Sequence, residues 1–201
     1  MTHKIRTSII LAGPLLARFG EIKLTYPGGC LIGKRPIDLF LDGLIALGAE
    51  FKETQDGLWL KTSGLKGNVF VFPQISVTAT ECLLMAASLA KSKTILKNVA
   101  LEPEVVSLAE FLNSCGAKIK GAGTSTIEIE GVEKLSARSY LTIPDRIEAG
   151  TFAILGAATK SQIKIVNCCP QHLEVLWAIF KKIGVDFELS LIHISEPTRP
   201  Y

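Results

Sequence analysis

The sequence predicts an α/β domain assembled from copies of one strand–helix–strand–helix–strand–strand unit around a common helical core. Three observations lead there. Segments 38–64 (DLFLDGLIALGAEFKETQDGLWLKTSG), 105–131 (VVSLAEFLNSCGAKIKGAGTSTIEIEG) and 173–190 (LEVLWAIFKKIGVDFELS) share one apolar pattern. Their helices close on Gly48, Gly116 and Gly184, spaced by about 68 residues each time. An alternating stretch follows, clearest in Thr126-Ile127-Glu128-Ile129-Glu130, and reads as a half-buried strand.

Each element has a local reason. Phe40, Leu44 and Leu47 correspond to Leu108, Leu112 and Cys115, and to Leu176, Phe180 and Ile183. That i, i+4, i+7 spacing makes one apolar helix face. Each glycine follows the last periodic residue, where a left-handed cap is wanted. An earlier helix in each unit is predicted over Ser76–Ala90 and over Asp145–Ala158, with Ser76 and Asp145 as N-caps. Strands are predicted to follow at Thr94–Lys97 and Gln162–Val166. One such unit leaves a helix face unburied, and packing several units around shared helices buries it.

Bulk properties narrow the function classes. The chain of 201 residues suffices for one domain or two small ones. Lys and Arg number 22 against 19 Asp and Glu, without a clustered basic patch. This excludes a phosphate-dense polymer as partner and suits a small anionic substrate. Cysteines stand at 30, 82, 115, 168 and 169. Their odd number and wide spacing do not suit a disulfide scaffold, so a reducing cytoplasm is expected. No apolar run is long enough to span a bilayer. The start MTHKIRTSIILAGPLLARF imitates a signal peptide, but Pro14 and Arg18 interrupt it and no small-residue cleavage site follows. The end, LSLIHISEPTRPY (189–201), breaks from the preceding composition and looks like translated sequencing adapter. On that reading the natural chain is longer, and His193 carries no functional weight.

The first copy of the repeat is longer than the others. Measured from Ile22, Ile95 and Ile163 to the closing glycines, it has about five extra residues, or about three if aligned on Leu24. The excess falls around TYPGGC, residues 25–30, where no scaffold need accounts for it. Pro27 stiffens this loop and Gly28-Gly29 loosen its tip. A thiol there, Cys30, can act as nucleophile or proton donor, and the nearby Lys34 and Arg35 would lower its pKa. Arg35 could fork a phosphate, and Arg6 is a second lone arginine. The competing reading makes Cys30 a small, partly buried hydrophobe and Arg35 a solvated charge. Cys82 and Cys115 fall on apolar helix faces and read as core. NCCPQH (167–172) offers Cys168, Cys169 and His172, but vicinal cysteines without a second ligand pair do not suit a metal site. No metal or other cofactor is expected.

GPLLARFGEIKLTYPGGCLIGKRPIDL (13–39), residues 76–135 and PDRIEAGTF (144–152) resemble the UDP-N-acetylglucosamine enolpyruvyl transferases. The resemblance runs over residues 4–188. It implies an inside-out α/β barrel of repeated βαβαββ units, here incomplete. Residues 1–143 would hold two of the three units of a first domain, 144–188 would begin a second, and 189–201 would belong to neither. The implied reaction moves enolpyruvyl from phosphoenolpyruvate to the sugar 3-hydroxyl by addition and elimination, the first committed step of peptidoglycan synthesis. Cys30 matches the cysteine that protonates the methylene carbon and that fosfomycin alkylates. Arg35, Pro36, Ile37, Asp38 and Leu39 match the wall of the UDP-sugar site. Gln74, Ile75, Ser76 and Val77 match a second uridine-nucleotide segment, and Arg6 a substrate-binding arginine. The implied partners are the two small substrates alone, without nucleic acid or membrane, for a cytoplasmic monomer.

Phe40 stands where the family usually has histidine, and Gln74 where a lysine commonly meets the diphosphate. The family's N-terminal Lys-Asn pair and the acidic residue that deprotonates the sugar have no match here. The 201-residue chain is therefore expected to lack transferase activity that its complete parent has. The alternatives are a transferase of the shikimate-phosphate type, a catalytically dead homologue that binds nucleotide-sugars, and a non-enzymatic α/β binding module.

Overall fold

The computed structural model describes residues 6–26, 28 and 36–190, with the side chain of Arg6 excluded. The chain divides into two compact units, residues 1–141 and 142–201.

The first unit holds two copies of the repeat. A 3-10 turn, Arg6–Leu11, leads into α1 (Ala12–Phe19), which ends on left-handed Gly20. Then come β1 (Glu21–Thr25), α2 (Asp38–Ala46), β2 (Glu50–Thr54) and β3 (Gly57–Lys61). The second copy is β4 (Val69–Val71), α3 (Val77–Ala87), β5 (Lys93–Lys97), α4 (Pro103–Ser114), β6 (Lys118–Lys120) and β7 (Thr126–Glu130). The sheets run β1-β3-β2 and β4-β5-β7-β6. Pairing is antiparallel except between β4 and β5. The last three strands of each copy thus share one order, which is the repeat seen in the sequence.

Strand alternation decides what each sheet face meets. Leu96 pairs with Ile127 and Thr94 with Ile129, all buried. On the opposite face Lys93 meets Glu128 at 2.8 Å and Lys118 meets Glu130 at 3.7 Å, in solvent. The first sheet repeats this with Ile22 opposite Leu60 and Leu24 opposite Leu58. Gly48 and Gly116 end the second helices at φ 90° and 104°, the left-handed positions that the spacing predicts.

Helix α3 is the centre of this unit. It is apolar around most of its circumference, and Ala79, Cys82, Leu83, Leu84, Ala86 and Ala87 are all buried. Helices α1, α2 and α4 pack around it. Two glycines permit the close approach. A Cβ on Gly13 would lie 2.2 Å from the Cys82 carbonyl oxygen, and one on Gly43 would lie 2.2 Å from Leu83 Cδ1. Thr80, buried in α3, donates its hydroxyl to the Ser76 carbonyl at 2.8 Å and accepts the Ala100 N–H at 3.2 Å. Its polarity is therefore satisfied. Ser76 is the N-cap, its hydroxyl accepting from the Ala79 N–H at 3.3 Å.

The second unit has α5 (Arg146–Thr159), a 3-10 turn Pro170–Leu173 and α6 (Glu174–Ile183). Asp145 caps α5, accepting from the N–H groups of Ile147 at 2.8 Å and Glu148 at 3.0 Å. Trp177, Phe180 and Phe187 form an aromatic cluster, and Gly184 ends α6 at φ 75°. The strand predicted at Gln162–Val166 does not form. A strand exists only against a partner, and the described residues of this unit include no other strand to pair with it. Among the described residues no helix is long and apolar enough to cross a membrane.

Candidate functional site

The connection from β1 to α2 runs over residues 26–37, while its counterpart from β5 to α4 runs over 98–102. The first copy does carry the longer loop. Part of the excess has a structural origin. In the repeat frame Asp38 corresponds to Val106, so α4, starting at Pro103, begins about one turn earlier than α2. Proline is well placed there, since a first-turn N–H has no intrahelical partner.

Cys30 and Arg35 lie outside the described residues. Arg6 opens the first 3-10 turn, and its side chain also lies outside them. The other candidates fall at two helix starts. Pro36 is exposed, Ile37 and Leu39 are half-buried against the core, and Asp38 is exposed in the first turn of α2. A carboxylate there complements the helix dipole. Gln74 and Ile75 are exposed in the turn before α3, followed by the cap Ser76 and by Val77 in the first turn. Helices α2 and α3 pack on each other, so both candidate segments sit on one helical framework. The N–H groups at the start of α3 present the positive end of its dipole, a chemistry suited to phosphate oxygens.

Phe40 is on the opposite side of this question. Its ring is 4% exposed and packs in the core of the first unit, so the departure from histidine is a packing change rather than a change of site surface. Gln74 is the departure that faces solvent.

The structure adds residues that the motif reading did not name. The Tyr26 hydroxyl donates to Glu53 Oε1 at the start of the long loop. On the sheet face opposite Glu53, Trp59 Nε1 donates to Glu21 Oε1 at 2.8 Å and Lys52 lies 5.1 Å above the Trp59 ring. These residues alternate along paired strands, and cross-strand register is the signal that would have joined them. At the α3–α4 contact, burial pushes the Glu81 carboxyl up, with smaller contributions from the charges of Glu104 and Glu102.

The remaining cysteines divide as their surroundings dictate. Cys82 is fully buried and its thiol is pushed up to about 12, first by burial. Cys115 is buried, and Cys168 and Cys169 are half-buried free thiols.

The first unit carries two copies of one repeated α/β pattern, with a longer connection before α2 than before α4, and comparison with known proteins gives the family of this architecture. The chain matches the model described as EPSP synthase (3-phosphoshikimate 1-carboxyvinyltransferase) over residues 1–196, and it belongs to that family. It is 48% identical over 188 residues to UDP-N-acetylglucosamine 1-carboxyvinyltransferase of Bdellovibrio bacteriovorus, covering 94% of this chain and 45% of that protein. It is 51% identical over 185 residues to the protein of that name from Koribacter versatilis, covering 92% and 43%. Among solved structures, the enolpyruvyl transferase NikO from Streptomyces tendae superposes with a TM-score of 0.74 at 21% identity, over 93% of this chain and 46% of that one. An EPSP synthase from Acinetobacter baumannii gives 0.57 at 23%, over 77% and 35%. These likenesses support the fold. The chain spans less than half the length of the curated relatives it matches.

Proposed function

We propose that the protein carrying this chain transfers enolpyruvyl from phosphoenolpyruvate to the 3-hydroxyl of UDP-N-acetylglucosamine and releases phosphate. The observation that carries this reading is the identity of 48–51% to several curated proteins of that name, which come from different bacteria. Likeness to the solved EPSP synthases stays at 23–24%, which makes the shikimate-phosphate acceptor the weaker reading.

In the proposed mechanism the Cys30 thiol delivers its proton to the methylene carbon of phosphoenolpyruvate. The sugar oxygen adds to the neighbouring carbon as its hydroxyl proton passes to the acidic residue that the family supplies and that has no match in this chain, giving a tetrahedral ketal. Loss of phosphate and of a proton from the methyl group restores the enol ether. Arg35, Pro36, Ile37, Asp38 and Leu39 form one side of the nucleotide-sugar site, and Gln74, Ile75, Ser76 and Val77 the other, with Arg6 toward substrate. The start of α3 supplies oriented N–H donors, while Gln74 supplies a neutral amide at a position where a cation would hold the diphosphate more strongly. Residues 1–143 belong to a first catalytic domain and 144–188 open a second, and the enzyme works as a cytoplasmic monomer without a metal.

The test is acceptor choice by the complete protein. Phosphate release from phosphoenolpyruvate should depend on UDP-N-acetylglucosamine and should fall at least about a hundredfold in Cys30→Ala, since removal of a positioned proton donor costs on this scale. Turnover with shikimate 3-phosphate instead would overturn the assignment.

A further inference from the structure

Two cysteines of this chain have no part in the proposed transfer chemistry and are not core. Cys168 and Cys169 are neighbours in sequence, free and partly exposed, whereas Cys82 and Cys115 are buried. Their turn is held from both sides. Asn167 precedes them in the left-handed region at φ 55°. Pro170 follows and opens the 3-10 turn. The His172 N–H donates to the Cys169 carbonyl at 3.1 Å, and Trp177 Nε1 donates to the Pro170 carbonyl at 2.8 Å. The Cys169 thiol donates to Gln171 Oε1 at 3.2 Å, at the rim of the turn.

We infer that Cys168 and Cys169 form a two-thiol site for trivalent organoarsenicals, thiophiles that bond two sulfurs through one atom. The chemistry balances without any redox change. An arsenic(III) oxide R–As=O loses its oxygen, two As–S bonds form, and the two thiol protons leave with that oxygen as water. The first sulfur to bond makes the second step intramolecular, at a high effective concentration. A turn already ordered by Pro170 and the two hydrogen bonds loses little further freedom on closing the ring. Soft sulfur ligands favour such a centre over nitrogen or oxygen donors. Cys82 and Cys115 are closed to it by burial, and Cys30 has no neighbouring cysteine in the sequence.

The test treats the full chain with phenylarsine oxide in a large excess of glutathione and reads the adduct by native mass spectrometry. A single glutathione-resistant adduct is expected. It should be absent from C168S and from C169S, retained in C30S, and removed by 2,3-dimercaptopropanol. Alkylation mapping of the unmutated chain gives a readout that no folding defect can imitate. After arsenical treatment Cys168 and Cys169 should be protected from iodoacetamide while Cys30 still reacts. An adduct that survives C168S or C169S in a chain with unchanged circular dichroism would overturn the inference. So would one that requires Cys30, or the absence of any glutathione-resistant adduct on the unmutated chain.

Discussion

Helices α3 and α5 occupy the same place in successive copies of the repeat, and their surroundings differ. Both are apolar around most of their circumference, and both are capped by a side-chain oxygen, from Ser76 and Asp145. Helix α3 is enclosed by α1, α2 and α4. Helix α5 leaves Ile147 61%, Phe152 47% and Ile154 53% exposed. Capping and propensity are therefore enough to define the helix, while the burial that makes it a core depends on how many repeat units surround it. A helix that is apolar around most of its circumference thus exposes in one copy what packing hides in another.

The largest test of that difference is a truncation in each helix. Leu84→Ala in α3 removes a fully buried side chain and should cost about 2–5 kcal/mol in urea unfolding of the first unit. Phe152→Ala in α5 should change stability by less than about 1 kcal/mol. Equal effects would break the comparison. Next come the glycines that let helices approach α3. Gly13→Ala sets a methyl against the Cys82 carbonyl, which is backbone and cannot swing away, whereas Gly43→Ala meets the tip of Leu83, which can. Gly13→Ala should cost about 1–3 kcal/mol and the more of the two. Cap removal is smaller. Asp145→Ala should cost about 1 kcal/mol and lower the helical circular-dichroism signal, because two N–H donors lose their acceptor.

Charge effects come last. The Glu81 carboxyl is pushed up in the folded state, chiefly by burial and then by Glu104 and Glu102. The folded form then holds its proton more tightly than the unfolded form does. Its contribution accordingly turns unfavourable as pH rises above the ordinary glutamate range. Glu81→Gln should raise the Tm at neutral pH and flatten its decline from acid to neutral. For Glu128 the sign is opposite. Its hydrogen bond and charge attraction to Lys93 lower its pKa. That contribution is present above the unfolded glutamate pKa and is lost as pH falls through the folded value. The pair is in solvent, so Glu128→Gln should produce the smallest change of the series, and added salt should erase it.

Much of this was readable locally. The three closing glycines, the two capping residues and the alternation of Thr126–Glu130 are decided within a few residues of themselves, and the structure has each of them. The strand expected at Gln162–Val166 failed for the converse reason, since pairing is decided by a partner elsewhere in the chain. The longer first loop was visible as a break in the repeat. Its size was harder to read, because α2 and α4 start at different points in the repeat frame. Glu81 with Glu102 and Glu104 was hidden, since helix packing and not sequence spacing brings them together. Phe40 looked like a change in the site until its ring was found in the core. The remaining candidate residues were proposed only through family resemblance, because a thiol and an arginine on a loop have too many ordinary uses to declare a role.

The central claim is that the long loop of the first copy carries a reactive thiol that the shorter connection of the second does not. The direct measurement is time-dependent alkylation of the complete protein by fosfomycin, followed by peptide mapping. The account predicts covalent modification at Cys30 alone, with Cys82 and Cys115 protected by burial and loss of enolpyruvyl transfer in step with labelling. Labelling confined to Cys168 or Cys169, or transfer that continues after Cys30 is fully modified, would contradict it.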